Sequence, residues 1–403
     1  MKKIFHLEGI RGVGALIVFV CHFQIVFMPD FYTHLHWWLV PHAPLDLVKF
    51  LVNFVNLMII GNMFLHIFWA LSAYVIFAKF FKYNNQSSAL LSNSVKRYVR
   101  LMIPCAVSIF FSYIIFKAGF IYVRQIPVQT LQQNLYLIPP SFLHALKTSV
   151  WSTLFDYDYF SSYNGPLWTI QREFYGSVFC YALFGIIGKS NNRTWFYAIV
   201  FACVWVLKIY WLNSFLFGYL LCDIDFSDRK DSSVLSRIIH NLDYYLTKHQ
   251  GLLLASFAVV YVAGRIVIYR NLERMDWVNC VLSFLLIVIA LRAQVISKLM
   301  KFKIFTSLGK LSFGLYVLHW PILCSMSSWL YLRFALKSYP KALCLMVFSA
   351  AVCLVMAWLF NKLVDQHAIK LANKAANYIE NLTTYKTEVK KEATPMHEVV
   401  LTK

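Results

Sequence analysis

The sequence predicts an all-α, polytopic membrane protein of about ten transmembrane helices with both termini in the cytoplasm. Three observations predict it. Of the 403 residues, 60% are hydrophobic and only 14% are charged, against about 25% charged in soluble domains. So few charges cannot cover a water-exposed surface, and the apolar excess calls for lipid. The apolar residues also fall into runs near the roughly 20 residues that a crossing helix needs. Finally, Lys and Arg are unevenly shared between alternate connections. With the amino terminus inside, 26 of the 38 fall on cytoplasmic segments, as the positive-inside rule requires.

The same numbers exclude other classes. A disordered chain needs low hydrophobicity. Nine cysteines are an odd number, and most sit in apolar runs without C-x-x-C spacing, so a disulfide or metal framework is not indicated and no metal is expected. The net charge of +20 comes from residues flanking apolar segments. It reads as membrane anchoring, not as a nucleic-acid surface.

In chain order, the expected spans are 12–29, 59–79, 101–119, 167–187, 195–211, 213–223, 250–269, 277–291, 312–332 and 342–361. The first follows Lys2 and Lys3 and lacks a small-residue cleavage site near His22, Phe23 and Gln24, so it reads as a retained helix, with a cleaved signal as the alternative. Residues 45–58 are apolar but short and follow Pro44. They read as an interfacial or re-entrant helix. The sixth span is short, a half-helix or one extended by its neighbours. The longest outside segment, 120–166, carries Pro127, Pro139, Pro140, Pro166, Asp156 and Asp158, and its length marks it for substrate contact. The membrane domain is expected over 1–372 and a polar cytoplasmic tail over 373–403. No internal repeat of the transporter kind is visible.

Ionisable residues inside spans are costly and point to function. Arg11 and His22 are eleven residues apart, about 16 Å along a helix and on nearly the same face. A neutral imidazole at His22 can take a proton from a hydroxyl, and Arg11 suits an anion near the inner surface. A structural His with a topology-anchoring Arg fits the same spacing. Gly165-Pro166 can start a helix that places Arg172 and Glu173 one to two turns in from the outer surface, beside Trp168 and Tyr175. Glu173 can orient a histidine, bind a hydroxyl or pair with an arginine on another segment. His319 lies in the ninth span on one face with Tyr316. Pro321 frees the carbonyl near position 317 and can kink the helix there. Ser72, near His66 and Trp69, reads as a hydrogen-bonding or packing group because no base pairs with it. Arg97 and Arg100 share a face at the inner end of the third span. They can hold the phosphates of a soluble donor or anchor lipid head groups.

The motifs Arg11-Gly-Val-Gly-Ala-Leu-Ile-Val-Phe-Val-Cys-His22, Phe68-Trp-Ala-Leu-Ser-Ala-Tyr74, Arg97-Tyr-Val-Arg-Leu-Met-Ile-Pro104, Gly165-Pro-Leu-Trp-Thr-Ile-Gln-Arg-Glu173-Phe-Tyr175, Phe215-Leu-Phe-Gly-Tyr-Leu220 and Leu311-Ser-Phe-Gly-Leu-Tyr-Val-Leu-His319-Trp-Pro321 occur in the order seen in the acyltransferase-3 family of integral membrane proteins, which the chain resembles. Ala73 and Tyr74 stand where that family usually has Gly-Phe. The resemblance implies a multi-pass O-acyltransferase of the inner (cytoplasmic) membrane. Such an enzyme moves an acetyl or other short acyl group from acyl-CoA, entering from the cytoplasm, to a sugar hydroxyl of a surface polysaccharide or glycolipid. It further implies that His22 and Glu173 are catalytic and that Arg11, Arg97 and Arg100 face the CoA phosphates. Trp168, Tyr316 and His319 are expected on the substrate. Partners are membrane lipids and the glycan acceptor. A transporter using the same buried polar groups, or a non-catalytic polysaccharide-assembly partner, is the competing expectation.

Overall fold

The computed structural model describes residues 5–28, 61–83, 88–126, 135–188, 190–226, 233–270, 275–336 and 338–392. Residues 45–58, Pro127 and the last part of the tail lie outside them. All regular elements among the described residues are helical. The long ones are α1 (Phe5–Phe27), α2 (Gly61–Tyr83), α3 (Ser88–Lys117), α4 (Trp168–Ile187), α5 (Arg193–Val206), α6 (Tyr210–Phe226), α7 (Val234–Lys248), α8 (Gln250–Arg270), α9 (Met275–Arg292), α10 (Gln294–Met300), α11 (Lys303–Ile322), α12 (Tyr339–Phe360) and α13 (Gln366–Glu392).

Each expected span coincides with a helix, but not every helix is long and apolar enough to qualify as a crossing. By those two properties, Phe5–Phe27, Gly61–Ala78, Ala89–Lys117 and the continuous stretch Pro340–Leu382 do. The bent pairs formed by α7 with α8, at 100°, and by α9 with α10, at 84°, raise the number to six if each is one span. The chain is therefore an all-helical, multi-pass membrane protein with four to six apolar candidate spans. The shortfall against ten has physical causes. Gln171, Arg172 and Glu173 lower the hydropathy of α4, and α5 and α6 have only 14 and 17 residues.

Close approach is built from small residues, as in membrane bundles where backbone packing replaces the hydrophobic drive. Where α1 crosses α11, a Cβ on Gly12 would fall 2.5 Å from the Gly309 amide nitrogen. Along this crossing, Gly12 meets Gly309 and His22 meets His319, so α1 and α11 run parallel. α2 runs opposite to α1, with Gly61 beside Cys21 and Phe64 beside Gly14. Contacts His66–Ser214 and Tyr74–Asp225 make α6 parallel to α2, and Ser214–Cys280 with Asp225–Arg292 make α9 parallel to both. α5 opposes α6 through Arg193–Asp223 and Tyr197–Tyr219. α12 opposes α11 through Gly314–Ala357 and Ser327–Ser349.

Two helices extend past the expected spans at one end. α3 begins at Ser88, thirteen residues before the expected start at 101. α12 passes through one π turn, Asn361–Asp365, into α13. The buried Ala368, Ala372 and Ala376 lie on α13, which packs along α3. Helix therefore continues straight through residues 372 and 373.

The segment before α4 turns into the bundle. Residues 162–167 are all buried, and Asn164 is fully so. Its Nδ2 donates to Ser108 Oγ at 3.2 Å and to the Val317 carbonyl at 2.8 Å. That carbonyl is the one whose helical donor Pro321 removes. Here the freed group is satisfied by a side chain from an entering loop, and the helix continues into a π turn at Leu323–Ser327.

Candidate active site

A cavity of about 190 Å³ opens among α1, α2, α3, α4 and α11. Its polar wall comprises Arg11, Ser72, Arg97, Arg100, Glu173 and Tyr316. The recessed start of α4 decides this grouping. Because the chain enters the bundle before Trp168, Glu173 does not sit at the outer surface, as its position one to two turns into the span suggested. It lies level with the arginines of α1 and α3.

Arg97 and Glu173 form an ion pair across α3 and α4. Arg97 also donates from Nη2 to Ser72 Oγ at 2.6 Å and from Nε to Ser177 Oγ at 3.1 Å. Glu173 thus finds its arginine on another segment, and Ser72 is a hydrogen-bonding group. Glu173 makes no hydrogen bond to His22 or His319. Arg100 is held by both oxygens of Asp365, at 2.6 and 3.1 Å, and lies 5.2 Å from the centre of the Phe313 ring. These two pairs neutralise each other's charge. Arg11 is different. It makes no hydrogen bond with a described residue and stands exposed in the cavity. Of the charged groups on this wall it is the one whose charge is not compensated by a direct contact.

His22 lies eleven residues beyond Arg11 on the same helix. Its Nδ1 is 3.1 Å from His319 Nε2, and His319 Nδ1 is 3.1 Å from the Leu315 carbonyl. A carbonyl only accepts, so His319 carries its proton on Nδ1. In the neutral ring Nε2 then accepts from His22 Nδ1–H, which leaves His22 Nε2 as a free lone pair. The tautomers follow from the partners. Tyr316 connects the two regions. Its ring is 5.8 Å from that of His319, and its hydroxyl donates to the Pro166 carbonyl at 2.7 Å and contacts Thr169 Oγ1. Tyr159 borders the buried loop at Gly165. Burial pushes its phenol up to about 12, so it stays neutral near neutral pH.

The structure brings Arg11, Arg97, Arg100, Glu173 and Tyr316 together, and places His22 and His319 just beyond Tyr316. Trp168 is not brought to this wall. It lies against Arg172, which is 4.6 Å from its ring centre, 5.9 Å from that of Trp69 and 5.7 Å from that of Trp211. Arg172 and Glu173 therefore face different neighbours, as adjacent helical positions must. Asp365 and Asn164 were not anticipated. An arginine such as Arg100 calls for an anion, and the carbonyl freed by Pro321 calls for a donor, but neither signal names a residue. Tyr74, at a position where the resemblance departs, donates to Asp225 at 2.6 Å. Asp225 also takes Arg292, so the departure ties α2 to an ion pair at the bundle's end.

No curated relative and no solved structure matches the chain. A family model described as an acyltransferase domain matches residues 4–358, from the start of α1 almost to the end of α12, and the chain therefore belongs to the acyltransferase-3 family.

Proposed function

We propose that this membrane acyltransferase moves a short acyl group, acetyl in the simplest case, from acyl-CoA to a sugar hydroxyl of a surface polysaccharide or glycolipid. The observation that carries the reading is the free Nε2 of His22 beyond a cavity in which Arg11 makes no direct ion pair, Glu173 and Glu8 acting on it without contact. A guanidinium in a bundle without a carboxylate in contact has donors left for an anion, and a donor phosphate supplies one. The donor enters at the Arg11 end with its thioester pointing toward His22. Arg97 and Arg100 flank it, with Glu173 acting through Arg97. Thioesters have a good leaving group, so the chief needs are positioning and removal of the hydroxyl proton. The hydroxyl oxygen attacks the thioester carbon while its proton passes to His22 Nε2. The C–S bond then breaks, and the thiolate recovers the proton from His22. Tyr316 and His319 lie on the acceptor's side of the donor.

The setting we propose is the cytoplasmic membrane, crossed about ten times. The alternating helix directions support that count, and the charge asymmetry supports both termini inside. Cysteine labelling from the outside should modify a residue introduced near position 138 and spare one introduced near position 395. Labelling of the carboxyl-terminal site from outside would remove the ten-span topology.

The function is tested with labelled acetyl-CoA and purified protein in glycan-bearing vesicles. Acetyl-CoA should bind, label should appear in glycan, and Arg11→Gln should raise the donor KM by about tenfold, as expected for one charge-assisted contact worth roughly 1.5 kcal/mol or more. Absence of both donor binding and glycan label in the wild type would refute the reading.

A further inference from the structure

Acyl transfer passes through a tetrahedral oxyanion, and a preorganised donor for it is usually the largest single contribution to the rate. One side chain near His22 has such a donor to spare. Trp320 is 1% exposed, and its Nε1 has no hydrogen-bond partner among the described residues. Buried indole N–H groups normally find a partner, and leaving one empty costs roughly 1–3 kcal/mol. The indole stands edge-on to His22, with ring centres 5.4 Å apart and planes at 76°.

The space around Nε1 is shaped by a second residue. A Cβ on Gly165 would lie 3.5 Å from Trp320 Nε1, 3.4 Å from its Cε2 and 3.3 Å from Tyr159 Cε2. The glycine thus leaves room for about one atom against the face of the indole at its Nε1–Cε2 edge, to the side of the N–H direction. Gly165 is fixed there. Its carbonyl accepts from Tyr157 Oη at 2.5 Å, and the preceding Asn164 is tied to Val317. Two features therefore converge: an orphan donor and a base on the next ring.

We propose that the Trp320 indole N–H is the oxyanion donor of the acyl transfer, an inference that rests on the function proposed above. As the acceptor oxygen bonds to the thioester carbon and gives its proton to His22 Nε2, the carbonyl π pair moves onto the carbonyl oxygen. That oxygen accepts the Nε1–H. Collapse restores the C=O, breaks the C–S bond and releases the thiolate, which takes the proton from His22.

Trp320→Phe keeps an aromatic ring and removes the N–H. In the vesicle assay its kcat should fall by about 10²–10³, with acetyl-CoA affinity within about threefold of wild type and folded protein retained. Turnover within about threefold of wild type would overturn the assignment. If Trp320→Phe does not accumulate, β-(3-benzothienyl)alanine at position 320, which keeps the bicyclic shape and replaces the N–H by sulfur, carries the test. A turnover loss of about tenfold or more at unchanged donor affinity supports the assignment, and full turnover overturns it. A wild type without acetyl-CoA-dependent transfer would instead sink the functional reading itself.

Discussion

His22→Gln should leave the protein folded in the membrane and lower acyl transfer by about 10²–10⁴, roughly 3–5 kcal/mol in the barrier. Glutamine preserves polarity and much of the size. Its amide can still donate toward His319 Nε2, as His22 Nδ1 does across 3.1 Å, so the packing of α1 on α11 should survive. It cannot take a proton near neutral pH. The readout is acylated glycan per amount of folded enzyme. His319→Gln is the informative companion. His319 fixes the tautomer of His22 and does not itself receive the proton in the proposed step, so its loss should cost less, about tenfold to a hundredfold, in line with groups that orient a base. Near-wild-type turnover in His22→Gln would make His22 a structural hydrogen-bonding residue. A larger loss in His319→Gln than in His22→Gln would reverse the two roles.

The helices were legible in the sequence because apolar run length reports directly on burial in lipid. Even there, the limits show at α4, α5 and α6, which contain polar residues or are too short. The pairing of Arg11 with His22 on one helix face was legible because helical periodicity fixes it. What was not legible depended on contacts between distant segments. Glu173 read as an outer-surface group because residues 120–166 read as an outside segment running up to the start of its span. The buried stretch 162–167 carries only one strong local signal, Gly165-Pro166, and nothing there says that it enters the bundle. The His22–His319 contact spans 297 positions, and the Arg100–Asp365 pair spans 265. Spacing along the chain carries no information at that range. Pro321 was a partial exception. The freed carbonyl near 317 was foreseeable from proline chemistry alone, while the donor that reaches it, Asn164, was not.

The Arg97–Glu173 pair should show the largest effect on stability. Both side chains are largely covered, at 16% and 13% exposed, and they bridge α3 to α4 where few other polar contacts join these helices. Removing Glu173 leaves Arg97 without its partner beside a like charge, Arg11, whereas Glu173 left by Arg97→Gln still has Arg11 as a cation nearby. Breaking a buried pair in this way typically costs about 3–5 kcal/mol. Solvent reaching the cavity lowers that, so about 2–3 kcal/mol is expected for Glu173→Gln and less for Arg97→Gln. Replacing both partners by neutral, hydrogen-bonding groups removes the stranded Arg97 charge, so the double variant Arg97→Gln with Glu173→Gln should melt closer to wild type than Glu173→Gln alone. Thermal unfolding in detergent gives the three values, and their cycle gives the coupling. Function should separate from stability here. The double variant loses a cation from the proposed donor wall, so its acetyl-CoA KM should stay raised by about tenfold although its fold is restored. Strictly additive melting shifts would mean that the pair contributes no coupling. A double variant with wild-type donor KM would confine Arg97 and Glu173 to a structural tie between α3 and α4, leaving Arg11 and Arg100 as the cations of the donor wall.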